Sequence, residues 1–93
     1  MLEHADANKA FHDFAPEIQR VLNEFGDFFP EAPNERTQAE MAKQLCEKHG
    51  IRLEAFYESA YLIFLGKPKG PRLLPFLNAL EKAFVSQRLK GVV

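Results

Sequence analysis

A chain of 93 residues, 46% apolar and 27% charged, fits one small globular domain and excludes a disordered one. Its single cysteine, Cys46, excludes an intramolecular disulfide, and its longest apolar run, YLIFL at 61–65, is too short to cross a bilayer. No basic stretch followed by an apolar one opens the chain, so a cytoplasmic protein without a membrane partner is expected.

The net charge of −1 argues at face value against nucleic acid, but the charge is unevenly spread. Residues 1–66 carry six Lys and Arg against twelve acids, whereas residues 67–93 carry six against Glu81 alone. Such an asymmetry marks one surface for an anionic partner, or draws the two parts together across the fold.

In chain order, residues 3–12 are polar and alanine-containing and suit a short helix. Asp13 is placed to cap a second helix, with Pro16 in its first turn, where a missing N–H costs nothing, and Glu17 at the positive end of the dipole. Ile18, Val21, Leu22 and Phe25 give this helix one apolar face, and Gly26 is placed to end it in a left-handed conformation. GDFFPEAP then reads as a connection: Phe28 and Phe29 tuck into the core, and the prolines stop any helix.

NERTQAEMAKQLCEKHGI carries the clearest helical signals. Asn34 is a good cap, and Thr37 with Glu40 offers an alternative capping box. Ala39, Ala42, Leu45, Cys46 and His49 share a stripe with Met41 at its margin, His49 faces the negative end of the dipole, and Gly50 is the natural residue beyond the last turn. Residues 53–65, LEAFYESAYLIFL, are apolar nearly all round, with Leu53, Phe56, Tyr57, Ala60 and Phe64 on one side. A helix of this kind belongs at the centre of the domain, with Glu54 and Glu58 as its wet edge.

The next stretch, GKPKGPR at 66–72, holds two glycines, two prolines and three cations. Gly66 ends the central helix, Pro68 and Pro71 force the chain to run extended, and Pro75 sets the start of the next helix near 72–74. Phe76, Leu77, Leu80, Phe84 and Leu89 supply its apolar face, with a break near Glu81 and an end at Gly91. A rigid turn explains the glycines and prolines but not Lys67, Lys69 and Arg72. Exposed amides at a helix start with cations nearby make an anion site, and an RNA phosphate is one candidate ligand.

From about residue 36 the chain resembles the C-terminal end of class I lysyl-tRNA synthetases. The likeness lies in His49-Gly50, Phe56-Tyr57, Leu65-Gly66-Lys67, Gly70-Pro71-Arg72, Phe76-Leu77, Phe84-Val85 and Arg88-Leu89. Glutamyl-tRNA synthetases are a poorer match because they usually lack the GPR triplet. Residues 1–35 match less well, and Glu81-Lys82 departs from the acidic cap that the family often places before its last helix.

The resemblance implies a single all-α domain over residues 1–93, a bundle of about five or six helices of the anticodon-binding type. Its partner would be tRNA, through the anticodon arm, together with the catalytic domain of the same synthetase. The HIGH and KMSKS motifs of that catalytic domain are not in this sequence. No catalytic site and no cofactor are therefore expected in this chain, which reads as an excised C-terminal domain or a free-standing relative. ATP and lysine would belong to the absent part.

Lys67, Lys69, Arg72, Arg88 and Lys90 are the candidate RNA contacts. Arg72 is the best suited to a base, because its planar fork bonds two acceptors at once, although tying the loop to acids of the first part is an equal alternative. Tyr57 and Tyr61 could stack unpaired bases, but their place in the apolar helix suits core packing better. A competing reading is a protein-interaction module that docks through the basic C-terminal segment. Cys46 and His49 are spaced i, i+3, as zinc ligands can be, but a closed site needs four ligands, and only His4 and His12 remain with no second cysteine, so no metal is expected.

Overall fold

Six α-helices form among the described residues, and glycine or proline follows most of them. The computed structural model, which describes residues 1–92, places them as α1 (His4–Asp13), α2 (Pro16–Phe28), α3 (Glu35–His49), α4 (Leu53–Leu65), α5 (Leu73–Asn78) and α6 (Lys82–Lys90). A single 3-10 turn, Phe29–Glu31, follows α2, and there is no strand among the described residues. The all-α bundle expected from the sequence is what forms, including the break between α5 and α6.

The apolar α4 sits at the centre, as its composition demands. Phe56, Ala60, Ile63 and Phe64 are fully buried. Phe25 of α2 meets Phe56 edge-on with ring centroids 5.1 Å apart, and Phe64 meets Phe76 and Phe84 edge-on at 6.1 and 6.3 Å. Edge-to-face packing of this kind adds about 0.5–1.5 kcal/mol per pair beyond the area buried. Glu54 and Glu58 form the wet edge, and Leu53 is 37% exposed rather than packed.

Several local expectations are corrected. Asp13 is the last residue of α1, not a cap: α2 starts after Ala15, with Pro16 at its first position and no side-chain cap. Gly26 does not end α2, which runs on to Phe28. It serves packing instead, since a Cβ there would lie 2.9 Å from Lys90 Cγ and 3.0 Å from the Ser86 carbonyl oxygen of α6. Its absent side chain lets α6 lie directly on α2, and the Ser86 hydroxyl donates to the Gly26 carbonyl at 2.7 Å. Phe29 enters the core, while Phe28 stays half-buried.

On α3, Asn34 caps as expected, its Oδ1 accepting from the Thr37 amide at 2.9 Å. The buried stripe is Gln38, Ala42, Leu45 and Cys46, and Ala39 is exposed. Gln38 is tolerated inside because its amide exchanges two hydrogen bonds with Asn78 of α5, at 3.0 and 2.7 Å. His49 does more than face the helix dipole: with Lys48 it grips Glu24 of α2 and ties α2 to α3.

Candidate nucleic-acid interface

The GKPKGPR loop is built by three local devices. Gly66 closes α4 in the left-handed region at φ 77°, which residues with a Cβ rarely adopt. The prolines then hold the chain extended. Finally, the Tyr61 hydroxyl donates to the Pro71 carbonyl, and Gly70 lets the backbone lie against Tyr61 and Leu65, where an added Cβ would be 3.2 and 2.4 Å from their Cδ1 atoms. The result is a fixed, protruding turn in which every residue from Gly66 to Arg72 is exposed.

Lys67, Lys69 and Arg72 lie on this turn, and none makes an ion pair or side-chain hydrogen bond among the described residues. The alternative that Arg72 ties the loop to acids of the first part is not what forms. Glu35 borders the same shallow depression of about 220 Å³ as Arg72 but is not paired with it. Arg72 is the residue immediately before α5, a helix of six residues. Its dipole is therefore small, and the cations rather than the amides carry any attraction for an anion.

The other two basic candidates are corrected. Arg88 is 2% exposed and points inward. Its guanidinium donates to the carbonyls of Leu2 and Ile63, at 2.5 and 3.3 Å, lies 3.1 Å from His4 Nδ1, and stacks over Phe84 at 4.8 Å. It fastens the N-terminal residues and α1 to α6 and presents nothing to a ligand. Burial lowers its pKa from the usual guanidinium value, and its Nε has no partner. Lys90 is one-third exposed and bound to Asp27. The basic C-terminal segment is therefore not one continuous docking face, which removes support from the protein-module reading. Within residues 67–93 the cations left unpaired among the described residues are Lys67, Lys69 and Arg72 of the loop, together with the exposed Lys82.

The two tyrosines also part company. Tyr61 holds the loop through its hydroxyl, a structural task. Tyr57 is half-buried, burial pushes its phenol up, and its hydroxyl makes no hydrogen bond among the described residues. It lines the depression shared with Arg72 and a second one, of about 280 Å³, bordered by Arg36, Ala39, Glu40, Lys43 and Leu53. Arg36 and Lys43 were not singled out by the sequence, since they lie in its acidic part. Their spacing, two turns apart on α3, was the available signal. Cys46 is buried and its thiol is pushed up by that burial, the opposite of the exposed, low-pKa setting that activates a cysteine nucleophile.

Comparison with known proteins bears on what this surface meets. The chain is 33% identical over 82 residues to a lysine–tRNA ligase of Thermococcus kodakarensis, covering 84% of this chain and 15% of that ligase. It is 35% identical over 81 residues to the ligase of Halobacterium salinarum, covering 85% and 15%, and 29% identical over 79 residues to that of Natronomonas pharaonis, covering 84% and 14%. The chain is related to a segment of lysine–tRNA ligases. It spans about 15% of the length of the curated relatives it matches. No family model matches it, and no solved structure does. No helix among the described residues is long and apolar enough to cross a membrane.

Proposed function

We propose that this chain is a tRNA-binding helical domain of the class I lysyl-tRNA synthetase type. In this reading it meets the anticodon arm and contributes to the selection of the tRNA that receives lysine. The observation that carries the reading is the fixed loop in which Lys67, Lys69 and Arg72 stand exposed and unpaired. Likeness to a segment of lysine–tRNA ligases supports the same partner.

The physics follows from the geometry. Lysine ammonium groups free of acids displace the counterions condensed on RNA, so their contribution is favourable and depends on salt. Because the loop is already stiff, little ordering entropy is lost when RNA arrives. Arg72 at the loop's end adds a planar fork that fits two acceptors on a base edge or a phosphate.

Binding to an RNA stem–loop bearing a lysine anticodon, measured by fluorescence anisotropy across a salt series, tests the reading. Affinity falls steeply with salt, and each lysine removed by Lys67→Ala or Lys69→Ala lowers the log–log slope by roughly one unit. An unchanged slope removes those lysines from the interface. Arg72→Ala relaxes discrimination between anticodons; equal weakening for all RNAs removes the base-reading role and leaves a phosphate contact.

A further inference from the structure

Tyr57 is a partly exposed aromatic side chain flanked by unpaired cations in both of the depressions it lines. Arg72 lies in one, and Arg36 and Lys43 in the other. All three cations are exposed and free of ion pairs among the described residues. The exposed Leu53 extends the apolar floor beside the ring. Within the protein the ring contacts Phe56, which meets it at 67° with centroids 5.5 Å apart, so no protein ring lies parallel upon it.

Resting on the tRNA reading above, we infer that Tyr57 is the seat on which an unpaired base of the bound RNA stacks. Arg36 and Lys43 on one side and Arg72 on the other hold the adjoining phosphates. The interface thus runs from the loop across α4 onto α3, into a part of the chain whose net charge is negative.

The arrangement fits a single-stranded nucleotide better than other anions. A duplex offers phosphates but no free base face, whereas an unpaired nucleotide offers a flat apolar ring and a charge a few ångströms away. An acidic peptide offers charge without the ring. Glu35 and Glu40 border the same depressions. Their carboxylates accept from base-edge donors beside the ring, whereas phosphates are drawn to Arg36, Lys43 and Arg72, which favours a base in the middle of the strip and phosphates at its ends.

The test uses the whole chain, with an RNA stem–loop, a fully paired RNA duplex and polyglutamate as probes. The protein has no tryptophan and two tyrosines, so its tyrosine emission comes from Tyr57 and Tyr61, and Tyr57→Leu isolates the share that Tyr57 contributes. The stem–loop quenches that emission, and Tyr57→Leu abolishes most of the quench and weakens stem–loop binding about tenfold. Duplex binding changes little, and Tyr57→Phe, which keeps the ring, retains stem–loop affinity. Arg36→Ala with Lys43→Ala, both on the surface, leaves the circular dichroism unchanged and lowers the salt slope by one to two units, at roughly one per lost phosphate contact.

Retained binding and quenching in Tyr57→Leu, with binding still weakened by Lys67→Ala, overturns the stacking seat while the tRNA reading stands. Equal losses for stem–loop and duplex overturn it as well, and so does polyglutamate that competes as well as the stem–loop. If the unaltered chain binds no stem–loop at all, both readings fall together.

Discussion

Arg72 and Arg88 belong to the same basic segment and have opposite surroundings. Arg72 ends a proline-stiffened loop, exposed and without an ion pair among the described residues. Arg88 is sealed between α1, α4 and α6, also without an ion pair, its charge distributed over two carbonyls, a histidine nitrogen and the faces of Phe64 and Phe84. A buried charge is expensive unless its donors are used, and here all but Nε are placed for use. Counting cations along a chain therefore overstates the surface available to a polyanion. Of the five basic residues selected from the sequence, only the loop trio faces outward unpaired.

The comparison breaks most sharply on stability. Arg88→Ala removes the donors that hold Leu2 and Ile63 and leaves their carbonyls without this partner, along with a cation–π contact. A loss of about 3 kcal/mol or more in urea denaturation is expected, whereas Arg72→Ala stays within about 0.5 kcal/mol. Arg88→Lys recovers little, because an ammonium cannot span the same acceptors while stacking on Phe84. Equal, small effects at the two positions would mean that Arg88 is not an anchor.

Glycines sharpen the same contrast between a packed and a presented region. At Gly26 an added methyl meets backbone, the Ser86 carbonyl oxygen at 3.0 Å, as well as Leu89 Cβ at 3.1 Å. Gly26→Ala should cost about 1–3 kcal/mol from overpacking, with up to about 1 kcal/mol offset by better helix propensity. At Gly70 the nearest atom is the end of the flexible Leu65 side chain at 2.4 Å. Gly70→Ala should therefore unfold at nearly the unaltered temperature yet weaken stem–loop binding, because it pushes the loop off Tyr61. Melting temperature and anisotropy read on the two variants separate these outcomes.

Much of this architecture is legible in the sequence because local rules act alone there. Asn34 caps, Gly50, Gly66 and Gly91 end helices, and Pro16 and Pro75 mark first turns without help from tertiary contacts. The misreadings at Gly26 and Arg88 share one cause: a partner distant in the chain. Gly26 looks like a helix end until α6 lies on it, and Gln38, outside the expected apolar stripe, is buried because Asn78 of α5 meets it. Arg88 looked available because a charge defaults to solvent. Yet it follows Phe84 by one turn and sits between the buried Val85 and Leu89, and that stripe was the readable warning. On the candidate site, the loop and its lysines are visible as composition, but the division of labour between Tyr57 and Tyr61 depends on where Pro71 lands.

The smallest effect belongs to an exposed tie rather than a buried one. Hydrogen bonds from Lys48 and then His49 hold the Glu24 carboxyl below its usual value of 4.5, against a weaker opposing effect of burial. The folded state therefore takes up this proton less readily than the unfolded one. The contribution is fully present above the ordinary carboxyl range and is lost as pH falls through the lowered pKa. Because Glu24 is 38% exposed and screened by solvent, the tie is worth at most about 1 kcal/mol, and less in high salt. Urea midpoints measured from about pH 6 down to about pH 3 should fall with pH, and Glu24→Gln should flatten part of that slope while leaving RNA affinity untouched. A Glu24→Gln profile parallel to that of the unaltered chain would show that the α2–α3 junction is held by packing alone. Lys48 would then count among the cations free to meet a polyanion, and the contrast between anchored and presented charge would have to be redrawn.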